Sequence, residues 1–169
     1  SEESFNLAIE DIEHELEDRV GWFQEKGMEI EAYRLEGRTK FDLEMLTEIG
    51  SCKGVENYSR HFDRRSEGER SFCLLDFFSS NAERFHGGSD RYLVIMDESH
   101  VTLPQVGGMY GGDFSRKKNL VDHGFRLPSA YDNRPLRIDE FQDLVPRMLY
   151  VSATPGERAV SYTHLTLPT

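Results

Sequence analysis

The sequence has only two cysteines in 169 residues, and it lacks any long apolar run. No apolar stretch approaches the roughly 20 residues that a helix needs to cross a bilayer, so a membrane-spanning class is excluded. Cys52 and Cys73 do not form a CxxC pair, which favours reduced, packed thiols over a disulfide. The first residues, SEESFNLAIE, have neither the basic start nor the apolar core of a signal peptide. We therefore expect a cytoplasmic protein that does not contact membranes.

Basic residues are scarce at the start of the chain. Residues 1–48 contain 15 acidic and 5 basic residues, whereas the remaining 121 residues contain 16 and 15. The net charge of −11 therefore comes from one segment, and it does not exclude nucleic-acid binding by the rest of the chain. Solvated helix faces account for these acids, and a docking surface for a basic partner is the alternative.

Two amphipathic helices are predicted in the acidic segment. Over residues 6–25, apolar residues recur at steps of three and four, as on one face of a helix: Ile9, Ile12, Leu16, Val20 and Phe23. Gly27 interrupts the pattern, and a second helix is predicted from Glu29 to Ile49, with Gly50 capping its end. The simplest arrangement is an antiparallel pair of helices joined by a short turn.

The middle of the chain contains short apolar runs between irregular segments. FCLLDFF predicts a short buried strand or helix, and the Ser, Asn and Gly-Gly that follow predict an irregular surface insertion over residues 79–91. GGMYGGD is predicted to be a flexible loop, because it lacks the Gly-Lys-Ser/Thr of a phosphate-binding loop. A short helix is predicted at 138–145.

Two predicted strands, 92–97 and 147–153, end in polar motifs. A carboxylate at the carboxyl end of a parallel strand lies where nucleotides bind in doubly wound sheets. Asp97 is therefore predicted to hold Mg²⁺ through water, and Glu98 to orient or deprotonate the water that attacks a γ-phosphate. Asp-Glu-x-His is a helicase-type signature. Both strands are expected to lack the neighbours that a parallel sheet normally has.

The second motif is VSATPG, at the end of the later strand. The hydroxyls of Ser152 and Thr154 are placed where they can bond to the acidic motif and sense its state. An ordinary junction between a strand and a turn is the alternative, and the ordered pair of motifs favours the functional interpretation.

Four longer blocks carry a family resemblance: RLEGRTKFDLEMLTEIGSCKGVENYSRH, DESHVTLPQVGGMYGGD, RKKNLVDHGFRLPSAYDNRPL and YVSATPG. They resemble blocks of the UvrB family, the helicase-like excinuclease component of bacterial nucleotide excision repair. The resemblance implies an α/β superfamily-2 helicase fold, with a partial RecA-like P-loop NTPase motor domain and an attached α-helical subdomain. It also implies a weak, DNA-stimulated ATPase that uses ATP and Mg²⁺ and verifies DNA damage. The implied partners are damaged DNA and the other excinuclease components, UvrA and UvrC.

The resemblance also implies domains and residue roles. The expected domains are a helical subdomain at 1–91, part of the motor domain at 92–156, and a tail at 157–169 that does not resemble the family. Asp97 and Glu98 match the magnesium and water-activating carboxylates. Four positions match motifs that couple the nucleotide to DNA and to domain movement: Ser99, His100, Ser152 and Thr154.

Two groups of side chains are candidates for DNA contact. The first combines a stacking ring with cationic groups, as suits single-stranded DNA: Tyr58, Arg60 and His61. The second offers cations that neutralise phosphates: Arg116, Lys117 and Lys118. The alternatives are a buried aromatic residue for the first group and a solvated basic turn for the second.

Parts of the family pattern are not in this sequence. The phosphate-binding lysine loop and the second motor domain are both missing, so we expect an internal fragment that does not hydrolyse ATP alone. A non-catalytic DNA-binding and assembly module is therefore an alternative function. Another DExH-type helicase is a further alternative, against which ENYSRH and LPSAYDNRPL argue.

Overall fold

The computed structural model describes residues 2–154, and this part of the chain is mostly helical. The helices and strands within it are α1 (Glu2–Glu25), α2 (Glu29–Ile49), α3 (Ser59–Phe62), α4 (Leu74–His86), β1 (Val94–Met96), α5 (Ser99–Asp122), α6 (Ile138–Leu144) and β2 (Met148–Tyr150). Two 3-10 turns, Val55–Tyr58 and Pro128–Asp132, connect some of them. The tail predicted at 157–169 lies outside the described residues.

Helices α1 and α2 form the predicted antiparallel pair. The apolar face of α1 is buried as its spacing predicts, with Ile12 and Phe23 fully inaccessible. Gly27 turns the chain with a φ of 71°, a left-handed conformation that glycine adopts without steric cost. Helix α2 begins and ends where the sequence predicts, and Gly50 caps it at a φ of 81° by donating to the Leu46 carbonyl.

The described residues divide into two compact units. The first unit contains the residues up to Ser71 together with Gly112–Arg134. Its core joins apolar side chains of α1 and α2 to Cys52, Tyr58 and Leu127. The second unit contains Phe72–Gly111 and the residues from Pro135 onward. The expected domain division between residues 91 and 92 stays a prediction.

A parallel pair of strands lies in the second unit. Strands β1 and β2 align Val94 with Met148 and Met96 with Tyr150. The parallel direction agrees with the sequence prediction, although each strand is shorter than predicted. Among the described residues the sheet has two strands. Ile95 is 61% exposed, and its partner Leu149 is 50% exposed, so one face of this sheet is accessible to solvent.

The predicted loop and part of the predicted surface insertion are helical. GGMYGGD lies within α5, and residues 79–86 belong to α4. Four glycines cost a helix roughly 1 kcal/mol each relative to alanine, which lowers its stability without forbidding it. Pairs spaced by four residues support the second half of α5, including Asp113 with Lys117 at 2.8 Å. Gly87 caps α4, so the Gly-Gly signal marks a helix end.

Candidate functional site

The acidic motif forms a tight turn between β1 and α5. Strand β1 ends at Met96, Asp97 and Glu98 make the turn, and α5 begins at Ser99. Hydrogen bonds beyond the strands continue their pairing, since Val151 N donates to Met96 O at 2.9 Å and Ser99 N donates to Val151 O at 3.0 Å. These bonds place the turn beside the residues that follow β2. Both motif carboxylates are therefore at the carboxyl edge of the sheet.

One residue of the turn has an uncommon backbone conformation. Glu98 has a φ of 46°, a left-handed conformation that is uncommon for residues other than glycine. Its N–H donates to Asp97 Oδ1 at 2.8 Å, a local bond that favours this conformation. The side chains of Asp97 and Glu98 are both exposed to solvent.

The second motif contacts the first through His100. Its Nδ1 shares a hydrogen bond of 2.7 Å with Ser152 Oγ, and it lies 3.4 Å from Glu98 Oε2. Ser152 Oγ also accepts a bond of 3.1 Å from Thr154 N, whereas the Thr154 side chain is exposed. Ser99 is buried, and its hydroxyl has no hydrogen-bond partner among residues 2–154. The structure thus brings His100 and Ser152 together, and the coupling roles of all four motif residues stay predictions.

The exposed carboxylate of Asp97 has the chemistry to hold Mg²⁺ through water. Magnesium is usually held by one or two carboxylates, with waters and substrate phosphates completing its octahedron. In the described part of the chain, no group of three or more histidine, cysteine, aspartate or glutamate side chains could hold a metal ion. Magnesium binding by Asp97 through water stays a prediction.

The first group of DNA-contact candidates is buried in the first unit. Tyr58 is 3% exposed, and its hydroxyl donates to Asp42 Oδ2 at 2.9 Å. Burial and the Asp42 carboxylate raise the pKa of Tyr58 far above its usual value. His61 is 8% exposed and lies 2.7 Å from Glu15. A base needs an accessible ring face for stacking, so this placement favours the buried-aromatic alternative, and DNA contact stays an untested prediction.

Sequence reasoning missed the acidic partners of these residues. Arg60 pairs with Asp132 at 2.9 Å and with Glu15 at 3.4 Å. Glu15 also accepts from Ser129 N at 2.7 Å. Burial alone would raise the pKa of Glu15, but the bonds from His61 and Ser129 and the Arg60 charge hold it below its usual value. No local pattern reveals this network, because its members are far apart in sequence.

The second group of candidates carries its own counter-charges. Lys117 is buried, pairs with Asp113 at 2.8 Å and donates to the carbonyl of Asn133. Arg116 also pairs with Asp113, at 2.9 Å, and Lys118 pairs with Asp122. Burial opposes ionisation of Asp113, but bonds from both cations lower its pKa. These pairs reduce the positive field, and the burial of Lys117 disfavours contact with DNA. Phosphate contact by Arg116, Lys117 and Lys118 stays a prediction.

Comparison with known proteins identifies relatives along most of the chain. A family model for the UvrB third helical domain matches residues 3–64. UvrABC system protein B of Chlorobium chlorochromatii is 53% identical over 156 residues, 92% of this chain and 21% of that protein. The protein of the same name from Aromatoleum aromaticum is 57% identical over 149 residues, 88% of this chain and 20% of that protein.

The chain belongs to the UvrB family. It spans about a fifth of the length of the curated relatives that it matches. The UvrB helical-domain match covers helices α1, α2 and α3. The acidic turn lies outside that match, but a relative aligned over 92% of the chain necessarily includes residues so close to its middle. The turn thus lies within the span aligned with that protein.

Among the described residues, no helix combines sufficient length with sufficient apolar character to span a membrane. This agrees with the sequence, in which charged residues interrupt every long apolar segment.

Proposed function

We propose that this chain is part of a UvrB-type protein that couples ATP hydrolysis to the verification of DNA damage in nucleotide excision repair. Membership of the UvrB family supports this proposal. The observation that carries it is the hydrogen bond of 2.7 Å between His100 and Ser152, which joins the acidic turn to the second motif. This bond joins residues 52 positions apart in sequence, which supports the assignment of both motifs to one site.

The fold class that accompanies this function is a partial RecA-like motor domain with an attached helical subdomain. The parallel pairing of β1 and β2 supports it, because carboxylates at the carboxyl ends of parallel strands line the crevice where nucleotides bind. The antiparallel helices of the first unit correspond to the helical subdomain. Further parts of the longer protein would complete the sheet and the site.

The proposed mechanism gives the two acids separate roles. Bound Mg²⁺ would neutralise charge on the nucleotide phosphates. Asp97 would hold the hydrated ion by accepting hydrogen bonds from its waters. Glu98 would orient the attacking water and accept its proton, a general-base role. His100 lies between Glu98 and Ser152, so it is placed to transmit movement of the second motif to the base.

Partners and location follow from the same proposal. The relatives are named as components of the UvrABC system, so the partners that we propose are damaged DNA and the other excinuclease components, UvrA and UvrC. The proposed location is the cytoplasm. The helical subdomain would support the motor, with Arg116, Lys117 and Lys118 as candidate contacts to DNA phosphates.

Replacement of Glu98 by glutamine in a full-length UvrB protein carrying this chain tests the proposal. ATP turnover should fall by about 10²-fold or more, the usual contribution of a general base, while ATP binding persists. Glu83→Gln is the matched control, because Glu83 is an exposed glutamate on α4. The isolated chain should show no magnesium-dependent ATP hydrolysis. Near-normal turnover by Glu98→Gln would remove Glu98 from the catalytic role.

A further inference from the structure

The conformation of Glu98 depends on two neighbouring carbonyl groups. Its φ of 46° is disfavoured for a residue with a β-carbon, so the surrounding hydrogen bonds must maintain it. Rotation about the backbone bonds of Glu98 changes the angle between two peptide planes, those that carry the carbonyls of Asp97 and Glu98 itself. A group that binds both carbonyls therefore restrains both backbone dihedral angles of Glu98.

Thr102 binds both of these carbonyls. Its Oγ1 donates to Asp97 O at 2.9 Å, and its main-chain N–H donates to Glu98 O at 3.0 Å. The second bond belongs to the ordinary helical pattern, and any residue except proline could make it. The first bond requires a side-chain hydroxyl, and it spans five residues instead of the usual three or four.

We propose that Thr102 is a positioning residue that holds Glu98 in the conformation required for activation of the attacking water. This inference rests on the proposed function of Glu98 as the general base. Thr102 need not touch the nucleotide, because it acts through the backbone of the acidic turn. Its side chain contributes a bond that the helix itself does not supply.

The two variants Thr102→Val and Thr102→Ser separate the hydroxyl from the size of the side chain. Valine keeps the branched shape and removes the donor, whereas serine keeps the donor. In a full-length UvrB protein carrying this chain, Thr102→Val should lower kcat for ATP about tenfold, the factor for one lost hydrogen bond. The KM for ATP should change less than about threefold, because ground-state binding is unaffected. Thr102→Ser should restore most of kcat.

Thr47→Val is the matched control. Thr47 Oγ1 donates to Leu43 O at 2.9 Å on α2, so this change removes a comparable bond between a hydroxyl and a helix carbonyl in the first unit. Its kcat should equal that of the unchanged protein. If valine proves incompatible with folding at position 102, Thr102→Ala removes the same donor without adding bulk and should show the same loss.

The outcomes distinguish this inference from the proposed function. An unchanged kcat in Thr102→Val, or a loss that Thr102→Ser fails to restore, overturns the positioning role even where Glu98→Gln abolishes turnover. Near-normal turnover in Glu98→Gln overturns the proposed base itself. A rise in KM without a fall in kcat would assign Thr102 to nucleotide binding and would likewise contradict positioning of the base.

Discussion

Replacement of Asp132 by alanine should destabilise the first unit by about 3 kcal/mol. Asp132 is 3% exposed and lies at the end of the 3-10 turn Pro128–Asp132. One carboxylate oxygen accepts from Arg60 Nη1 at 2.9 Å, and the other accepts from the main-chain N–H of Gly68 at 2.9 Å. A single side chain therefore joins α3 to the loop that follows it.

The magnitude follows from what the substitution leaves behind. Removing one partner of a buried ion pair costs about 3–5 kcal/mol, because the remaining charge loses its compensation. The Arg60 side chain is 15% exposed, so water reaches it only partly. Arg60 keeps a second acidic partner, because its Nη2 lies 3.4 Å from Glu15 Oε1. The expected cost is therefore at the lower end of that range. The lost bond to Gly68 N–H is included in this estimate.

Trp22 provides a selective assay for this prediction. It is the only tryptophan in the chain, and it lies on α1 in the first unit. Urea unfolding followed by its fluorescence therefore reports the free energy of unfolding of that unit. Asp11→Ala is the matched control, because Asp11 and its ion-pair partner Arg64 are 44% and 49% exposed and both lie in the first unit. Exposed pairs contribute about 1 kcal/mol or less. Equal effects of the two substitutions would refute the reasoning.

Two further predictions concern the same unit. The folded-state pKa of Glu15 lies below its unfolded value near 4.5, so its stabilising contribution is complete above that value and is lost as pH falls through the folded pKa. Urea midpoints below pH 4.5 should thus fall more steeply for the unchanged chain than for Glu15→Gln; parallel curves would contradict this. Gly124→Ala should lower the free energy of unfolding of the first unit by at least about 2 kcal/mol in the same assay, a larger loss than that of Gly27→Ala. Both glycines have a positive φ, but an added Cβ at Gly124 would lie 2.3 Å from Glu31 O. Equal losses would show that the backbone there relaxes.

The helical pair was predictable because its signals are local. Apolar side chains at three- and four-residue steps specify the buried face of α1, and Gly50 specifies the end of α2. The loop prediction for GGMYGGD was wrong, because glycine-rich segments are usually loops but can also be helical. In α5 the cost of those glycines is opposed by regular hydrogen bonding and by ion pairs such as that of Asp113 with Lys117.

Burial of the first DNA-contact group could not be predicted from sequence. Tyr58, Arg60 and His61 have the residue types of a stacking site, and the same types suit a buried polar network. What distinguishes the two is the position of their acidic partners, Glu15 and Asp132, which lie 46 and 72 positions from His61 and Arg60. Chain folding brings such partners together, and no spacing rule specifies them. The acidic turn differs, since its carboxylates and Thr102 are within six consecutive residues.

The acidic turn combines this local information with long-range contacts. Its backbone conformation is set by bonds within residues 97–102, so it belongs to the turn itself. Its position beside the second motif is set by the pairing of β1 with β2. A displacement of β2 would therefore move Ser152 relative to His100 while the conformation of Glu98 is retained. Coupling between the second motif and the proposed base then depends on His100, which contacts Ser152 at 2.7 Å and Glu98 at 3.4 Å. The contacts that hold the proposed base are thus distinct from those that join it to the second motif.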